Sequence, residues 1–245
     1  MRKLLLALLL CVAPVLAQAN EGGHLDSVKI NLHDQASLQR GAKFFVNYCM
    51  GCHATSYQRY NAVADHLGLS EQQMLQNLIF TGGKIGDYMT IATPPKDAKV
   101  WFGATPPDLT VIARARGNDW LYTYLRGFYL DDKRPFGVNN VAFKDVGMPH
   151  VLWELQGWQK PVYKTVTGED GKPEEVLEKL EIVTPGSMSP DDYDAAVTDL
   201  VNFLAYMGEP AKLERQSLGI KVLLFLAVFF VVAYLLKKDY WKDIH

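Results

Sequence analysis

Two cysteines separated by two residues and followed directly by a histidine constrain this 245-residue chain more than any other feature. The segment reads Cys49-Met50-Gly51-Cys52-His53, which is the C-x-x-C-H pattern of covalent c-type haem attachment. Residues three apart lie on one face of a helix, so both sulfurs can reach the two vinyl groups of a single haem. The adjacent imidazole can then bind the iron. Because the motif occurs once, the sequence predicts one haem c.

Three other roles of a C-x-x-C pair fit the sequence less well. A disulfide between Cys49 and Cys52 would close a tight loop and add little stability. A thioredoxin-like redox pair would need a surrounding βαβ pattern, which the sequence does not show. A zinc site would need two further ligands nearby, and there is no second cysteine pair. Haem attachment is therefore the favoured interpretation.

The segment before the motif has the pattern of an amphipathic helix. Residues 36–48 place Leu38, Ala42, Phe45 and Val46 on one apolar face. Gly41 on this helix would permit close packing against another helix. An amphipathic helix that runs into C-x-x-C-H opens the class I cytochrome c fold, so we expect a mainly α haem domain of that class with loop insertions.

A haem that carries electrons usually has a second axial ligand, and methionine in that position raises the reduction potential. Met148 is favoured because Gly147 lets the backbone approach the ring and Pro149 stiffens the exit. Met188, in a similar Gly/Ser/Pro setting, is the principal alternative. Met50 lies inside the attachment loop, and Met207 is expected to be a core residue. The remaining candidates are Met74, Met89, His24, His33, His66, His150 and His245.

Two arginines can balance the negative propionates of a haem. Arg114 and Arg116 follow a stretch, residues 81–108, whose paired glycines and prolines predict a loop region. A buried carboxylate is stabilised by a charge-assisted partner, and either arginine can supply one. Asn118 is expected to cap a short helix that ends at Arg126.

The rest of the predicted domain contains a small β-hairpin and a long helix. Residues 162–166 and 176–183 flank a polar turn at 167–172, which is the pattern of a hairpin. Ser189 and Pro190 suit the N-cap and the first position of a helix, and Gly208 and Pro210 suit its end. We expect this helix to pack against the first one through Tyr193, Val197, Leu200, Val201 and Leu204.

Both ends of the chain indicate export and a membrane anchor. Residues 1–19 combine a basic start, a short apolar run and an Ala-x-Ala site, as in a secretory signal peptide. Residues 218–236 are just long enough to span a membrane if Lys221 reaches the interface. The 237–245 tail is rich in lysine and is expected in the cytoplasm. A retained N-terminal anchor and a buried C-terminal core helix fit less well, because the first run is short and the second is apolar on every face.

The predicted exported domain, residues 20–217, is acidic. It carries 19 basic and 25 acidic side chains, a net charge of −6 with neutral histidines. This charge argues against nucleic-acid binding and favours a basic protein partner that is attracted over a distance.

The order of these features resembles the cytochrome c1 family, the haem subunits of the quinol–cytochrome c oxidoreductase (bc1) complex, in a bacterial form. The resemblance covers nearly the whole chain after the signal peptide, although the stretches after Leu69 and Arg116 look shorter than in mitochondrial members. It rests on Arg40-Gly41, the C-x-x-C-H motif, Tyr57, Tyr60, Pro106-Pro107-Asp108-Leu109, Arg114-Ala115-Arg116, Gly147-Met148-Pro149, Thr184-Pro185, Met188-Ser189, Gly208-Glu209-Pro210 and Leu218-Gly219-Ile220-Lys221.

The resemblance implies a role for each site residue. Cys49 and Cys52 would hold the haem as thioethers, His53 and Met148 would be the axial ligands of the iron, and Arg116 would bind a propionate. No residue would act as a general acid, base or nucleophile, so enzyme activity would belong to the complex.

The resemblance also implies partners and a location. The haem would take an electron from a Rieske iron–sulfur protein and pass it to cytochrome c, while cytochrome b oxidises the quinol. The complex would be dimeric and would lie in the inner membrane, with the haem domain in the periplasm. Two other functions compete with this one: a free-standing, membrane-tethered cytochrome c that feeds an oxidase, and a haem-based sensor with an open sixth site.

Overall fold

The structure, a computed structural model, describes residues 25–167 and 172–242. The predicted signal peptide at 1–19 lies outside the described residues, as do most of the predicted 167–172 turn and the end of the tail. The helices are α1 (Gln35–Tyr48), α2 (Tyr60–His66), α3 (Glu71–Asn77), α4 (Pro95–Phe102), α5 (Ile112–Arg116), α6 (Asn118–Arg126), α7 (Trp153–Gln156), α8 (Pro190–Gly208) and α9 (Lys212–Tyr240). The strands are β1 (Thr55–Arg59), β2 (Tyr88–Met89), β3 (Phe128–Leu130), β4 (Val138–Asn140), β5 (Gly157–Thr167) and β6 (Pro173–Pro185).

The crossing of α1 and α8 forms the centre of the domain. At Gly41 the two helices come so close that an added Cβ would collide with the carbonyl oxygen of Asp199 and lie 2.7 Å from the Cβ of Phe203. Beside this contact, the rings of Phe45 and Phe203 lie 5.7 Å apart, and Arg40 donates two hydrogen bonds to the Asp199 carboxylate. The predicted packing of the first and last helices of the domain is confirmed.

Both central helices begin as their sequences predict. The side chain of Asp34 accepts a hydrogen bond from the Ser37 amide at 3.0 Å and caps α1. Ser189 caps α8 through the Asp192 amide, and Pro190 occupies the first helical position. All five apolar residues predicted for the inner face of α8 are buried, with at most 2% of their surface exposed. These two helices therefore fix the end of α1, where the C-x-x-C-H motif begins.

The strands form three separate antiparallel pairs, and the longest is the predicted hairpin. It joins β5 to β6 from Gly157 opposite Pro185 to Thr167 opposite Pro173, which is longer than the predicted strands. Its inner end is attached to the domain because the side-chain amide of Gln159 donates to the carbonyls of Arg126 and Phe128. The prediction of a mainly α fold with one small hairpin is confirmed.

Two local expectations were wrong. The predicted loop at 81–108 contains a helix, α4, which begins with Pro95 in its first turn and ends at Gly103 in the left-handed region. Proline is favourable at that end of a helix, so its presence did not exclude one. Asn118 does not cap α6; it is the first helical residue, and the N-cap is Gly117, with no side-chain cap.

The C-terminal apolar segment forms one continuous helix. Residues Glu214–Tyr240 of α9 have a mean hydropathy of 2.6 over their most apolar window, and none of that window is buried against the domain. An exposed helix of this length and composition can cross a membrane, whereas a core helix would be covered. Only three residues, 209–211, separate α9 from the end of α8.

Candidate haem site

The C-x-x-C-H motif forms a tight turn that continues the last turn of α1. The Cys49 amide donates to the Phe45 carbonyl at 2.8 Å, and the His53 amide donates to the Cys49 carbonyl at 2.9 Å. Cys49 is buried, Cys52 is partly exposed, and their sulfurs are not joined in a disulfide. Burial, with a smaller contribution from Cys52, raises the pKa of the Cys49 thiol to about 12. The turn thus presents two thiols and an imidazole from five consecutive residues.

The His53 ring is oriented by a backbone carbonyl. Its Nδ1 lies 2.7 Å from the carbonyl oxygen of Pro107, and the side chain is buried. An N–H at Nδ1 that donates to a carbonyl leaves the lone pair of Nε2 free for a metal. Burial lowers the pKa of His53, opposed by the Pro107 hydrogen bond and the nearby Asp108 charge. The neutral imidazole is the form that binds iron.

The loop that supplies this carbonyl is itself held in place. The Leu109 amide donates to the Ala54 carbonyl at 2.8 Å, and the Asp108 carboxylate accepts from the backbone of Ser56 and from the backbone and hydroxyl of Thr110. Burial alone would raise the pKa of Asp108, but the hydrogen bonds from Thr110 and Ser56 lower it overall. An ionised Asp108 therefore fixes the position of Pro107 relative to His53.

Met148 lies in an aromatic cluster around Tyr124 and Phe128. The hydroxyl of Tyr124 donates to the Met148 sulfur at 3.3 Å. Tyr124 in turn stacks on Trp120, with ring centroids 4.9 Å apart, and meets the edge of Phe128 at 5.2 Å. Burial raises the pKa of Tyr124 well above its usual range, so the hydroxyl stays protonated and remains a donor.

Arg116 belongs to the same cluster, whereas Arg114 does not. The guanidinium of Arg116 lies over the rings of Trp120 and Phe143, with its central carbon 5.0 Å and 5.6 Å from their centroids. Residues two apart on a helix point to different faces. Arg114 accordingly extends the other way along α5 and packs against Gly208. Of the two arginines proposed from the sequence, only Arg116 shares an aromatic cluster with Met148.

A cleft of about 1180 Å³ opens beside Arg116. Its lining includes Arg116, Trp120 and Phe143, residues of the hairpin strand β6, and Met188. The lining does not include Cys49, Cys52, His53 or Met148. The cleft gives Arg116 an open approach for an anionic group.

The other methionine candidates for the sixth ligand pack against the main core, whereas His150 stacks on Phe128 of the Met148 cluster. Four methionines are buried in the main core and are at most 7% exposed: Met50, Met74, Met89 and Met207. Met188 is half-buried, packs against that core, and donates its amide to the Leu155 carbonyl. His150 is buried and stacked on Phe128, and its Nε2 has no hydrogen-bond partner among the described residues. Met148 is thus the candidate that lies beside both Tyr124 and the cluster of Arg116.

Sequence reasoning missed two groups that shape the site. The Pro107 carbonyl has no sequence signal, because any residue type can place a backbone acceptor there. Tyr124 did have one: Trp120 and Tyr124 lie four residues apart, which places the two rings on one side of α6. Altogether the structure offers two thiols, an imidazole with a free Nε2, a thioether and a guanidinium, and this donor set fits a haem c.

Replacing Tyr124 with phenylalanine is expected to lower the reduction potential of the haem. The hydroxyl withdraws electron density from the Met148 sulfur, which favours the reduced iron if that sulfur is a ligand. A hydrogen bond worth about 1 kcal/mol corresponds to roughly 40 mV for one electron. Redox titration of the haem band measures the change. Tyr206→Phe is the matched control, because that hydroxyl bonds to His66 instead, and an equal shift in both variants would contradict the role of Tyr124.

Comparison with known proteins places the whole chain in one family. A sequence model described as the Cytochrome C1 family matches residues 27–244. Cytochrome c1 of Allochromatium vinosum is 54% identical, over 100% of both chains. A protein of Nitrosomonas europaea described as ammonia monooxygenase gamma subunit is 49% identical, over 99% of this chain and 97% of its own length. The mitochondrial cytochrome c1 heme protein of Neurospora crassa is 27% identical, over 94% of this chain and 70% of its own. The family match over residues 27–244 and the full-length likeness to the Allochromatium protein show that the chain belongs to the cytochrome c1 family.

Proposed function

We propose that this chain carries one covalently attached haem c, accepts an electron from a Rieske iron–sulfur protein and passes it to a cytochrome c. Its family membership makes it a haem electron-transfer subunit of a bc1 complex. The observation that carries the finer proposal is His53, whose Nδ1 is engaged by the Pro107 carbonyl next to two unjoined thiols. In this proposal Cys49 and Cys52 form the thioethers, His53 and Met148 bind the iron, and Arg116 binds a propionate.

The residues of the chain would bind, orient and shield the cofactor. Haem iron supplies a one-electron couple, and the protein sets its potential through the axial ligands and their hydrogen bonds. Pro107 fixes the ring plane of His53, and Tyr124 holds the Met148 sulfur. Tyr124 and Phe128 pack beside Met148, and Trp120 stacks on Tyr124, so these rings would limit the access of water to that sulfur. Ligands fixed in this way change little in geometry when the iron changes charge, which favours fast electron transfer.

Removing one thioether tests covalent attachment. In Cys52→Ala, one vinyl group would stay conjugated with the ring, so we expect the reduced absorption band to shift to longer wavelength while haem remains on the chain in a denaturing gel. Cys49→Ala/Cys52→Ala should lose gel-stable haem altogether. Wild-type protein that loses its haem under denaturing conditions would contradict covalent attachment.

The orientation of the domain in the membrane has a separate test. Lys237, Lys238 and Lys242 lie at the far end of α9, and such residues are enriched on the cytoplasmic side. A reporter that folds only in the cytoplasm, fused after His245, should be active, whereas the same reporter inserted at the exposed residue Gly82 should not. The reverse pattern would contradict a periplasmic haem domain.

Electron transfer is tested in the intact complex. The purified membrane complex, given a quinol, should reduce this haem, and extraction of the Rieske protein should abolish the reduction. In the complex that retains its Rieske protein, added oxidised basic cytochrome c should reoxidise the reduced haem. The rate of this reoxidation should fall as the salt concentration is raised, because the predicted domain has a net charge of −6.

The same preparation separates the competing functions. Wild-type haem that binds carbon monoxide would favour a sensor, and purification without cytochrome b would favour a free-standing carrier. Purification together with a monooxygenase would favour an association like the one that the name of the Nitrosomonas relative describes.

A further inference from the structure

A second cleft lies where the folded domain meets the helix α9. Its volume is about 380 Å³, within the range of about 300–1,000 Å³ that is usual for small-molecule sites. Its walls come from the extended segment before α1, from α5, from the end of α8 and from the first two turns of α9. The polar residues that line it are Asn31, His33, Arg114, Asn118, Glu209, Lys212 and Gln216. None of them belongs to the haem site.

The electrostatics of this membrane-proximal cleft favour an anion. Within residues 25–167 and 172–242, neither Arg114 nor Lys212 forms an ion pair. The one carboxylate of the lining, Glu209, is neutralised by Arg215 at 2.6 Å. Two cations in one cleft, with amide side chains beside them, match a group of negative oxygens such as a phosphate.

The Arg114 side chain is held in place before any anion binds. A Cβ added at Gly208 would lie 3.2 Å from Cγ and 3.6 Å from Cδ of Arg114, so the arginine stem runs across the bare backbone of α8. Packing of this stem reduces the conformational entropy that the side chain would lose on binding an anion. Gly208 thus serves a purpose beyond ending the helix.

The depth of the cleft relative to the membrane identifies the source of the anion. The predicted membrane span begins at Leu218, and at 1.5 Å per residue Lys212 lies about 9 Å and Gln216 about 3 Å outside it. The headgroup layer on each side of a bilayer is roughly 5–8 Å thick. Lys212 and Gln216 therefore bracket the level at which lipid phosphates lie.

We propose that the membrane-proximal cleft binds the phosphodiester headgroup of an anionic phospholipid from the leaflet next to the domain. Arg114 and Lys212 contact the phosphate oxygens, and Asn31, Asn118 and Gln216 donate hydrogen bonds to the phosphate or to its polar substituent. The acyl chains lie along the exposed apolar surface of α9, where Leu218 is 60% and Leu223 68% exposed. Bound in this way, the lipid holds the domain at a fixed angle to the membrane.

Native mass spectrometry of the full-length, haem-loaded chain in detergent tests the proposal. The delipidated protein is mixed with phosphatidylglycerol or with phosphatidylcholine of the same chain length. We expect one phosphatidylglycerol to bind at least ten times more tightly than phosphatidylcholine, and Arg114→Gln/Lys212→Gln to lose at least a factor of ten. Lys221→Gln, which removes one charge from the same helix outside the cleft, should stay within a factor of two of the wild type.

Several results would overturn the proposal. Equal binding of the two lipids would show that the cleft does not select an anionic headgroup. Equal losses of phosphatidylglycerol affinity in Lys221→Gln and in the double variant would show that general surface charge, and not the cleft, attracts the lipid. Displacement of the lipid by millimolar inorganic phosphate would assign the cleft to a free anion. A photo-crosslinker at Gln216 in the intact complex should capture phospholipid. Capture of a protein subunit instead would contradict lipid binding in this cleft. An unchanged haem spectrum shows that each variant is folded, and Arg114→Lys, which keeps the charge, should retain most of the binding.

Discussion

Replacing Met148 with leucine is expected to turn the haem from a closed electron carrier into one that binds carbon monoxide. Leucine has a similar volume but no donor atom, so the packing beside Tyr124 and Phe128 is kept while the sixth ligand is lost. The reduction potential should fall by an amount on the order of 0.2 V, within the ~0.8 V range that axial ligands cover. Optical spectra of the oxidised, reduced, and reduced plus carbon monoxide forms measure the first effect, and redox titration measures the second.

Met188→Leu is the matched control for this prediction. Met188 is also half-buried and lies in a similar Gly/Ser/Pro setting, but it packs against the main core and lines the cleft beside Arg116, whereas the Tyr124 hydroxyl donates to Met148. Its variant should resemble the wild type in both measurements. If only Met188→Leu became sensitive to carbon monoxide, Met188 would be the ligand; if neither variant did, a histidine such as the buried His150 would be.

Replacing Gly41 with alanine is expected to destabilise the domain by about 3 kcal/mol, at the upper end of the usual cost of overpacking. The new methyl group would collide with the Asp199 carbonyl, which belongs to the backbone of α8 and cannot rotate away. Helix propensity alone predicts that the substitution stabilises the domain, because alanine is favoured over glycine in a helix by about 1 kcal/mol. The midpoint of thermal unfolding, followed by circular dichroism, should fall by roughly 6–12 °C.

The control for Gly41 is the same substitution in open space. A Cβ at Gly86 would meet nothing within 4 Å, and its backbone is not in the left-handed region. Gly86→Ala should therefore change stability by less than about 0.5 kcal/mol. Haem loading gives a second measurement, because α1 leads directly into Cys49. A stable, fully loaded Gly41→Ala protein would show that α1 and α8 can separate without cost.

Local patterns predicted the helices and the haem motif because the physical causes are local. Capping by Asp34 and Ser189 and the apolar face of α8 depend on residues within a few positions of each other. The C-x-x-C-H motif similarly contains most of its own geometry within one helical turn. These features needed no knowledge of the rest of the fold.

Features that depend on distant parts of the chain were not predictable in the same way. The residue pattern alone left Arg114 and Arg116 equivalent as propionate partners, and only the family resemblance favoured Arg116; in the structure, the place of α5 between α8 and the aromatic cluster separates them. The orientation of His53 depends on a carbonyl 54 residues away. Paired prolines and glycines predicted a loop at 81–108, although Pro95 begins a helix there. In each case a tertiary contact decides between local alternatives.

The three-residue connection between α8 and α9 limits how the redox centre can meet its partners. Three residues span at most about 11 Å even when fully extended, and α8 is the central core helix of the domain. The domain therefore cannot move far from the membrane anchor or sample a large volume above the bilayer. In the proposed function this domain would hold its haem at a nearly fixed place above the membrane, so the electron donor and acceptor would be the components that move between successive transfers.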